Sequence, residues 1–401
     1  MKILFLTNKI PHAEVAGGHR IIYQRIHYLS GRGHQVGLLS FVQGEKTEQI
    51  DSLRPLLQRM TTLPYPVRKF LIRASHDYLS MNRPAVFWKS YSEEMMKAVG
   101  EEAARGKYDL VIAEFSEMGQ YLHKNPYLSA VKKIISCHRS ITASYEKYTV
   151  LDEVRLRLHL KSMLQLRGLQ DYEFNMYRSA DRIFVLTPQD RFIMQYYAQD
   201  LAVSVVPSGI DVKYIQALPP VPKEPIVLMT GFMDDPANED GVEWFYHHVW
   251  PHLRENHPEV KFYIVGAGAR PRIQKLALKD KRIIVTGEVE DLRPYRNRAR
   301  VFVSPVRLGS GMRLKVLEAM AAGLPVVSTS LGMAGIDAQT GDNCLVADTP
   351  ELFTRSVEWL LTDPSLSDRM ATNARELVER KYTLKEGLQR FEKTVQSVLE
   401  G

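Results

Sequence analysis

Short apolar runs recur along this chain, separated by longer stretches in which apolar positions return every three or four residues. The runs have the length and continuity of strands covered on both faces, and the stretches between them have the period of amphipathic helices. Such alternation predicts parallel sheets layered with helices. The first set of runs takes in Ile3 to Thr7, Gln35 to Phe41, Leu110 to Ala113, Lys133 to Ser136 and Arg182 to Leu186. A second set restarts at Pro225 to Met229 and continues through Lys261 to Val265, Ile283 to Thr286, Val301 to Ser304 and Pro325 to Ser328. Between the sets, Pro219, Pro220, Pro222 and Pro225 crowd a segment that suits a connector. The expected fold class is α/β: two Rossmann-like, doubly wound parallel-sheet domains facing across a cleft, with ligands at the carboxyl ends of the strands.

The segment Ser304 to Thr329, SPVRLGSGMRLKVLEAMAAGLPVVST, holds the densest chemistry. Its order is strand end, glycine loop, helix, glycine stop, strand. Gly309-Ser310-Gly311 lets the backbone turn tightly, and a helix is expected from near Met312 until Gly323 and Pro325 end it. The first turn of such a helix offers unpaired N–H groups and a positive dipole end, and Arg313 and Lys315 add charge, so an anion suits it. Leu314, Leu317, Met320 and Ala321 form an apolar face on which Glu318 is the lone acid, costly unless it has a task or a partner.

These residues resemble the nucleotide-sugar signature of family 4 of the retaining glycosyltransferases, the group 1 type, which have the two-domain architecture called GT-B. The resemblance implies that Glu318 holds the ribose hydroxyls of a donor nucleotide and that Gly309, Ser310, Gly311, Met312 and Leu314 line its diphosphate and sugar. Many members carry a second Glu eight residues before that one; here the position is Ser310. Pro207-Ser208-Gly209-Ile210-Asp211 resembles the family's Pro-Asn-Gly-Val-Asp hinge. The boundary therefore falls at 208/209, giving an acceptor-binding domain 1–208 and a nucleotide-sugar domain 209–380. A helix in 381–401 returns to the first domain, as in family members.

Other motifs take their meaning from the same frame. Gly17-Gly18 follow the first predicted strand and precede a helix; by themselves they read as a tight turn, and the resemblance makes them a loop facing acceptor and donor phosphate, with His12 and Glu14 beside them. Cys137-His138-Arg139 follows a predicted strand at its carboxyl end. Histidine can donate or accept a hydrogen bond near neutrality, and the family places one there beside the donor sugar, so His138 joins Arg313 and Lys315 as a candidate catalytic group. Cys137 points elsewhere on an extended chain, which disfavours a Cys-His nucleophile. Gly231 and Phe232 resemble the family's first loop against the diphosphate, where two common basic residues are replaced by Met233 and Asn238 and where Arg313 and Lys315 are expected to compensate. Glu288 and Val289 resemble the base-binding edge. Phe262 to Gly268, FYIVGAG, imitates a dinucleotide fingerprint, but the third glycine position falls on Pro271, which argues against NAD.

Composition sets outer bounds. The chain has 401 residues, 45% of them hydrophobic and 25% charged, ordinary for a globular protein. Two cysteines support neither a disulfide framework nor a four-ligand metal site, and the acidic clusters Asp234-Asp235 and Glu288 to Asp291 lack the spacing of a divalent site, so no metal or other cofactor is expected. The apolar stretch at Met1 to Thr7 is too short for a secretory signal, and the uncharged run Ala319 to Ile336 is interrupted by Gly323 and Pro325, so a cytoplasmic location is expected. A net charge of +7 favours anionic partners: a nucleotide-sugar donor, a saccharide or lipid-linked acceptor, or the anionic inner face of a membrane. Basic residues cluster at Arg54 to Arg73 and at Arg155 to Arg167, where leucines alternate with them in the pattern of an amphipathic surface helix. No aromatic-basic platform points to nucleic acid. The implied activity is sugar transfer from a UDP- or GDP-linked donor to an acceptor hydroxyl, in cell-surface polysaccharide or glycolipid synthesis. A GT-B sugar-nucleotide epimerase and a catalytically silent nucleotide-sugar-binding protein are the alternatives.

Overall fold

A computed structural model describes residues 1–13, 17–45, 47–66, 83–144, 156–219, 221–309 and 311–401; the side chains of 48 and 156–165 are outside the description. Ser310 and Glu14 therefore lie outside the described residues, as do parts of both basic clusters, including Arg155.

The chain divides into two compact units, one made of Met1–Pro207 with Leu388–Gly401, the other of Ser208–Gly387. In the first, seven strands form one sheet: β1 (Lys2–Thr7), β2 (Gln35–Val42), β3 (Arg59–Pro64), β4 (Leu110–Glu114), β5 (Lys132–Cys137), β6 (Arg182–Val185) and β7 (Val203–Val205), in the order β3-β2-β1-β4-β5-β6-β7. All pairings are parallel. Alternating side chains explain why the central strands read as unbroken apolar runs. Leu4 and Leu6 enter one hydrophobic cluster while Ile3 and Phe5 enter another, and Val111 and Ala113 separate from Leu110 and Ile112 in the same way. The second cluster also contains Phe391, Val395 and Val398 from the last helix, Leu384–Glu400.

The other unit carries β8 (Ile226–Thr230), β9 (Lys261–Val265), β10 (Ile283–Gly287), β11 (Val301–Ser304), β12 (Val326–Ser328) and β13 (Leu345–Val346), ordered β10-β9-β8-β11-β12-β13 and again all parallel. Val227, Met229, Val301, Val303 and Val327 share its core with Phe245, Trp250, Phe262 and Phe353. In both sheets the strand order reverses beside the first strand of the set, which places the topological switch point at β1/β4 and at β8/β11.

Three strands go beyond the sequence expectation: β3, β7 and β13, each at a sheet edge. None of the residues of β3 is fully buried, and its sequence RMTTLP mixes polar and apolar positions without a continuous apolar run. Among the described residues, no helix is long and apolar enough to cross a membrane.

Candidate active site

In the first unit, the carboxyl ends of β1, β4 and β5 bring together groups from distant parts of the sequence. Glu114 ends β4 and is wholly buried. Arg25, from the helix Gly18–Gly31, donates through Nη1 to both carboxylate oxygens of Glu114, at 2.9 and 3.2 Å, and to Ser136 Oγ at 2.9 Å. His138, just past β5, places Nε2 2.9 Å from Glu114 Oε2, the oxygen that Arg25 holds at the longer distance. Burial alone would raise the Glu114 pKa, but Arg25, His138 and Ser136 together outweigh it and hold the carboxyl at about 2. The carboxylate is therefore an acceptor only, and His138 Nε2 must carry the proton between them.

Gly17 and Gly18 open the neighbouring helix against this cluster. A Cβ at Gly18 would sit 2.6 Å from the Phe115 ring and 3.1 Å from His138 Nδ1, so glycine is required by close approach there. Phe115 itself has a positive φ of 72°, a costly conformation for a bulky residue. Its ring packs against two imidazoles, with centroids 4.4 Å from His138 and 4.9 Å from His19. His19 Nε2 meets Asn8 Oδ1 at 2.9 Å, and Asn8 donates to Glu117 at 2.7 Å. Burial, then His138 and Lys9, push the His19 pKa down to about 4, so this ring is neutral near pH 7.

The turn after His138 has its own anchor. Buried Glu173 accepts from the amides of Ile141 and Thr142 at 2.9 and 2.7 Å and from Tyr177 Oη at 2.6 Å; desolvation raises its pKa despite these donors. Cys137 lies in the same region, Sγ 3.3 Å from Tyr177 Oη, with its thiol pushed up to about 12, chiefly by burial. A nucleophilic Cys137-His138 pair is thereby disfavoured on chemistry as well as direction.

In the other unit, the loops after β8, β9 and β10 are stitched side by side. Gly231 N donates to Val265 O at 3.1 Å, Met233 N to Ala267 O at 2.7 Å, and Gly266 N to Gly287 O at 3.1 Å. Phe232 is exposed at the tip of the first loop. Glu288 and Val289 follow β10, the first exposed and the second half-buried. Among the described residues, no group of three or more His, Cys, Asp or Glu is arranged to hold a metal ion.

Gly309 and Gly311 both adopt left-handed φ values, 86° and 87°, as the predicted turn requires. The helix that follows is Leu314–Ala321, two residues later than expected, because Arg313 takes a non-helical N-cap conformation. Arg313 turns back on the loop and donates through Nη2 to Leu308 O at 2.9 Å. Met312 is buried and Leu314 half-buried. Gly323 closes the helix as expected, donating to Met320 O at 3.0 Å.

Lys315 reaches across to Asn238, donating through Nζ to Oδ1, while the Asn238 amide donates to Phe232 O at 2.8 Å. Part of the Lys315 side chain touches the surface, but its ammonium end is packed among protein atoms. That desolvation, reinforced by Arg313 and only partly countered by Asp235, pulls the pKa down to about 7. Glu318 finds its partner in Arg296, which donates through Nη2 to Oε2. Arg296 is 4% exposed, so the pair lies largely out of water.

Sequence reasoning named His138, Gly18, Lys315 and Glu318 as candidates; the groups the structure packs against them, Arg25, Glu114, Phe115, Asn238 and Arg296, it did not name as partners. Glu114 left one readable sign: an acid closing the apolar run Leu110 to Ala113.

Residues 224–363 match the family model of glycosyl transferases group 1. An uncharacterized 44.6 kDa protein in the cps region of Klebsiella pneumoniae is 24% identical over 96% of this chain and 97% of its own length. Among solved structures, sucrose-phosphate synthase from Thermosynechococcus elongatus superposes with a TM-score of 0.75 at 17% identity, covering 100% of both chains. Anabaena Alr3699/HepE, solved in complex with UDP and glucose, gives 0.68 at 14% identity over 99% of this chain and 100% of its own. Residues 224–363 thus carry the sequence pattern of glycosyl transferases group 1, within a chain whose fold is that of GT-B glycosyltransferases.

Proposed function

We propose that the protein is a retaining glycosyltransferase that moves a sugar from a UDP- or GDP-linked donor to an acceptor hydroxyl. Breaking the sugar–phosphate bond develops negative charge on the departing diphosphate and positive charge on the ring, and preorganised cations and dipoles at the leaving group supply the largest stabilisation. The observation that carries this reading is Lys315: a desolvated ammonium whose hydrogen-bond partner is the neutral amide of Asn238, with Arg313 beside it. An arriving diphosphate supplies the counter-charge that Asp235 gives only in part. In this reading Gly309, Ser310, Gly311, Met312 and Leu314 line the diphosphate, Gly231 and Phe232 cover it, Glu318 takes the ribose, Glu288 and Val289 edge the base, and Gly17, Gly18 and His138 address the sugar. The leaving phosphate takes the acceptor proton, and no metal is needed, because the leaving-group charge is met by Lys315, Arg313 and the helix opening.

The Anabaena structure with UDP and glucose supports the donor class, and the Klebsiella relative's cps location supports a saccharide or lipid-linked acceptor in cell-surface polysaccharide synthesis. Free Cys137 and Cys344, both buried, fit a reducing cytoplasm, and the +7 charge fits contact with an anionic inner membrane face. The test is a thermal-shift screen of UDP- and GDP-sugars followed by product NMR with candidate acceptors. Stabilisation by one nucleotide sugar and an α-to-α or β-to-β product are expected. Donor isomerised without acceptor would identify an epimerase instead, and tight binding with no turnover a silent binding protein.

A further inference from the structure

The group 1 match, confined to residues 224–363, says nothing of what lies behind His138, and there the first unit holds a chain of contacts. Phe391, on the last helix, faces the Arg25 guanidinium at 4.4 Å. Arg25, 2% exposed, uses Nη1 on both oxygens of Glu114 and on Ser136. Glu114, fully buried, gives Oε2 to His138 Nε2. The imidazole's other nitrogen, Nδ1, borders the Gly17-Gly18 turn, where the missing Cβ of Gly18 leaves room. Phe115 packs along the ring and limits its rotation about the remaining side-chain torsion.

We propose that Glu114, clamped by Arg25, is a positioning residue that fixes His138 as the Nε2–H tautomer and so leaves Nδ1 as the atom presented to a sugar hydroxyl. The proposal rests on the reading above that His138 contacts the donor sugar. An imidazole held this way accepts a hydrogen bond at Nδ1 from a hydroxyl; flipped or in the other tautomer, it would present a donor or a carbon and lose that hydroxyl. Several features distinguish this from a merely structural ion pair. Arg25 and Glu114 already satisfy each other's charge, yet the carboxylate keeps one oxygen turned to the imidazole. The other buried acid near by, Glu173, spends its oxygens on backbone amides and on the Thr142 and Tyr177 hydroxyls and never meets His138. His19 is engaged with Asn8, so it does not compete for Glu114.

The experiment uses the full-length protein. Long-range proton–nitrogen NMR on histidine-labelled enzyme should show His138 protonated at Nε2 at pH 7.5 or so, and donor turnover should be measured for Glu114→Gln beside His138→Ala. Glu114→Gln keeps the shape but can offer either an oxygen or an NH2 to the ring. It should give a mixed tautomer signal and about a ten- to hundredfold loss in kcat with donor KM changed little. The Glu114→Gln, His138→Ala double variant should be no slower than His138→Ala alone. A Glu114→Gln enzyme with normal kcat and an unchanged tautomer, beside an impaired His138→Ala, overturns the positioning role and leaves the transferase reading intact. Normal turnover by His138→Ala overturns the contact of His138 with the sugar and with it the positioning role. Should Glu114→Gln fail to fold, the wild-type spectrum decides: a proton on Nδ1 alone overturns the proposal.

Discussion

Glu114 in the first unit and Lys315 in the second meet the same physical problem and end in opposite states. Each carries an ionisable end out of water, which disfavours its charge. Glu114 has a permanent counter-ion in Arg25 and a donor in His138, and its pKa falls to about 2. Lys315 has a neutral amide for a partner, a like charge in Arg313 and only a weaker opposing field from Asp235, and its pKa falls toward neutrality, to about 7. The contrast separates a charge that the fold has neutralised for itself from one that, under the proposed function, is held ready for an incoming anion. Scaffold and receptor are thus told apart by what compensates the buried charge rather than by burial.

Breaking the compensated side should have the largest effect on stability. Arg25→Met leaves Glu114 buried with its main counter-ion gone, and a loss of about 3–5 kcal/mol is expected in denaturant unfolding. The pH sign follows from the depressed pKa: in the wild type the Glu114 contribution is present above its ordinary value near 4.5 and is lost as pH falls toward 2. Arg25→Met should flatten that acid limb. An unfolding curve indifferent to this change would erase the distinction drawn here.

Lys315→Met attacks the uncompensated side and should do the reverse. Turnover should fall about a hundred- to a thousandfold, as for removal of other preorganised leaving-group donors. Stability should rise, because an amine whose folded pKa lies below its unfolded value costs folding free energy at every pH below about 7, a cost that fades as pH climbs toward the unfolded pKa. The gain is on the order of one to a few kcal/mol and reads directly in unfolding at pH 6 or so. Donor affinity in the wild type should be flat below pH 7 and fall by up to about tenfold per unit above it, until the pKa of the bound complex is reached. A Lys315→Met protein that is both active and less stable would mean that Lys315 already has an internal counter-charge.

Glu318→Gln sharpens the comparison from within the second unit. Glu318 is compensated by Arg296 and is also the proposed ribose ligand, so the effect should fall on ligand choice. Nucleoside diphosphate affinity should drop about ten- to a hundredfold by calorimetry, while inorganic pyrophosphate binding changes little. Equal loss for both ligands would assign Glu318 to scaffold alone. The smallest effect is expected for Gly18→Ala, whose Cβ must push Phe115 and crowd His138 Nδ1; about 1–2 kcal/mol in thermal unfolding and a lowered kcat should result.

Legibility from sequence followed burial. Strands covered on both faces, such as Ile3 to Thr7 and Val301 to Ser304, announce themselves as apolar runs because neither face meets water. The edge strands β3, β7 and β13 have one partner strand and weaker apolar signals, so turn-like or mixed composition hid them. The glycine loop before Leu314–Ala321 was readable because positive φ restricts residue choice, and Gly309 and Gly311 obey that restriction. Helix onset moved by two residues because Arg313 uses its side chain on Leu308 and its backbone as a cap, a local contact that spacing does not encode. Arg25 with Glu114 and Arg296 with Glu318 are separated by 89 and 22 positions. Pairing across such distances is set by sheet order, and an arginine on a helix otherwise looks like any solvated cation.

The last helix has a consequence for the order in which the molecule can be made. Phe391, Val395 and Val398 complete a core whose other walls are Ile3, Phe5, Ile22 and Phe184. On a ribosome these walls emerge early, yet they wait for Ser208–Gly387 to be translated before their final layer exists. Nascent chains therefore expose an unfinished apolar face through synthesis of an entire intervening unit, and chaperone occupancy during translation should persist until the carboxyl-terminal residues leave the exit tunnel.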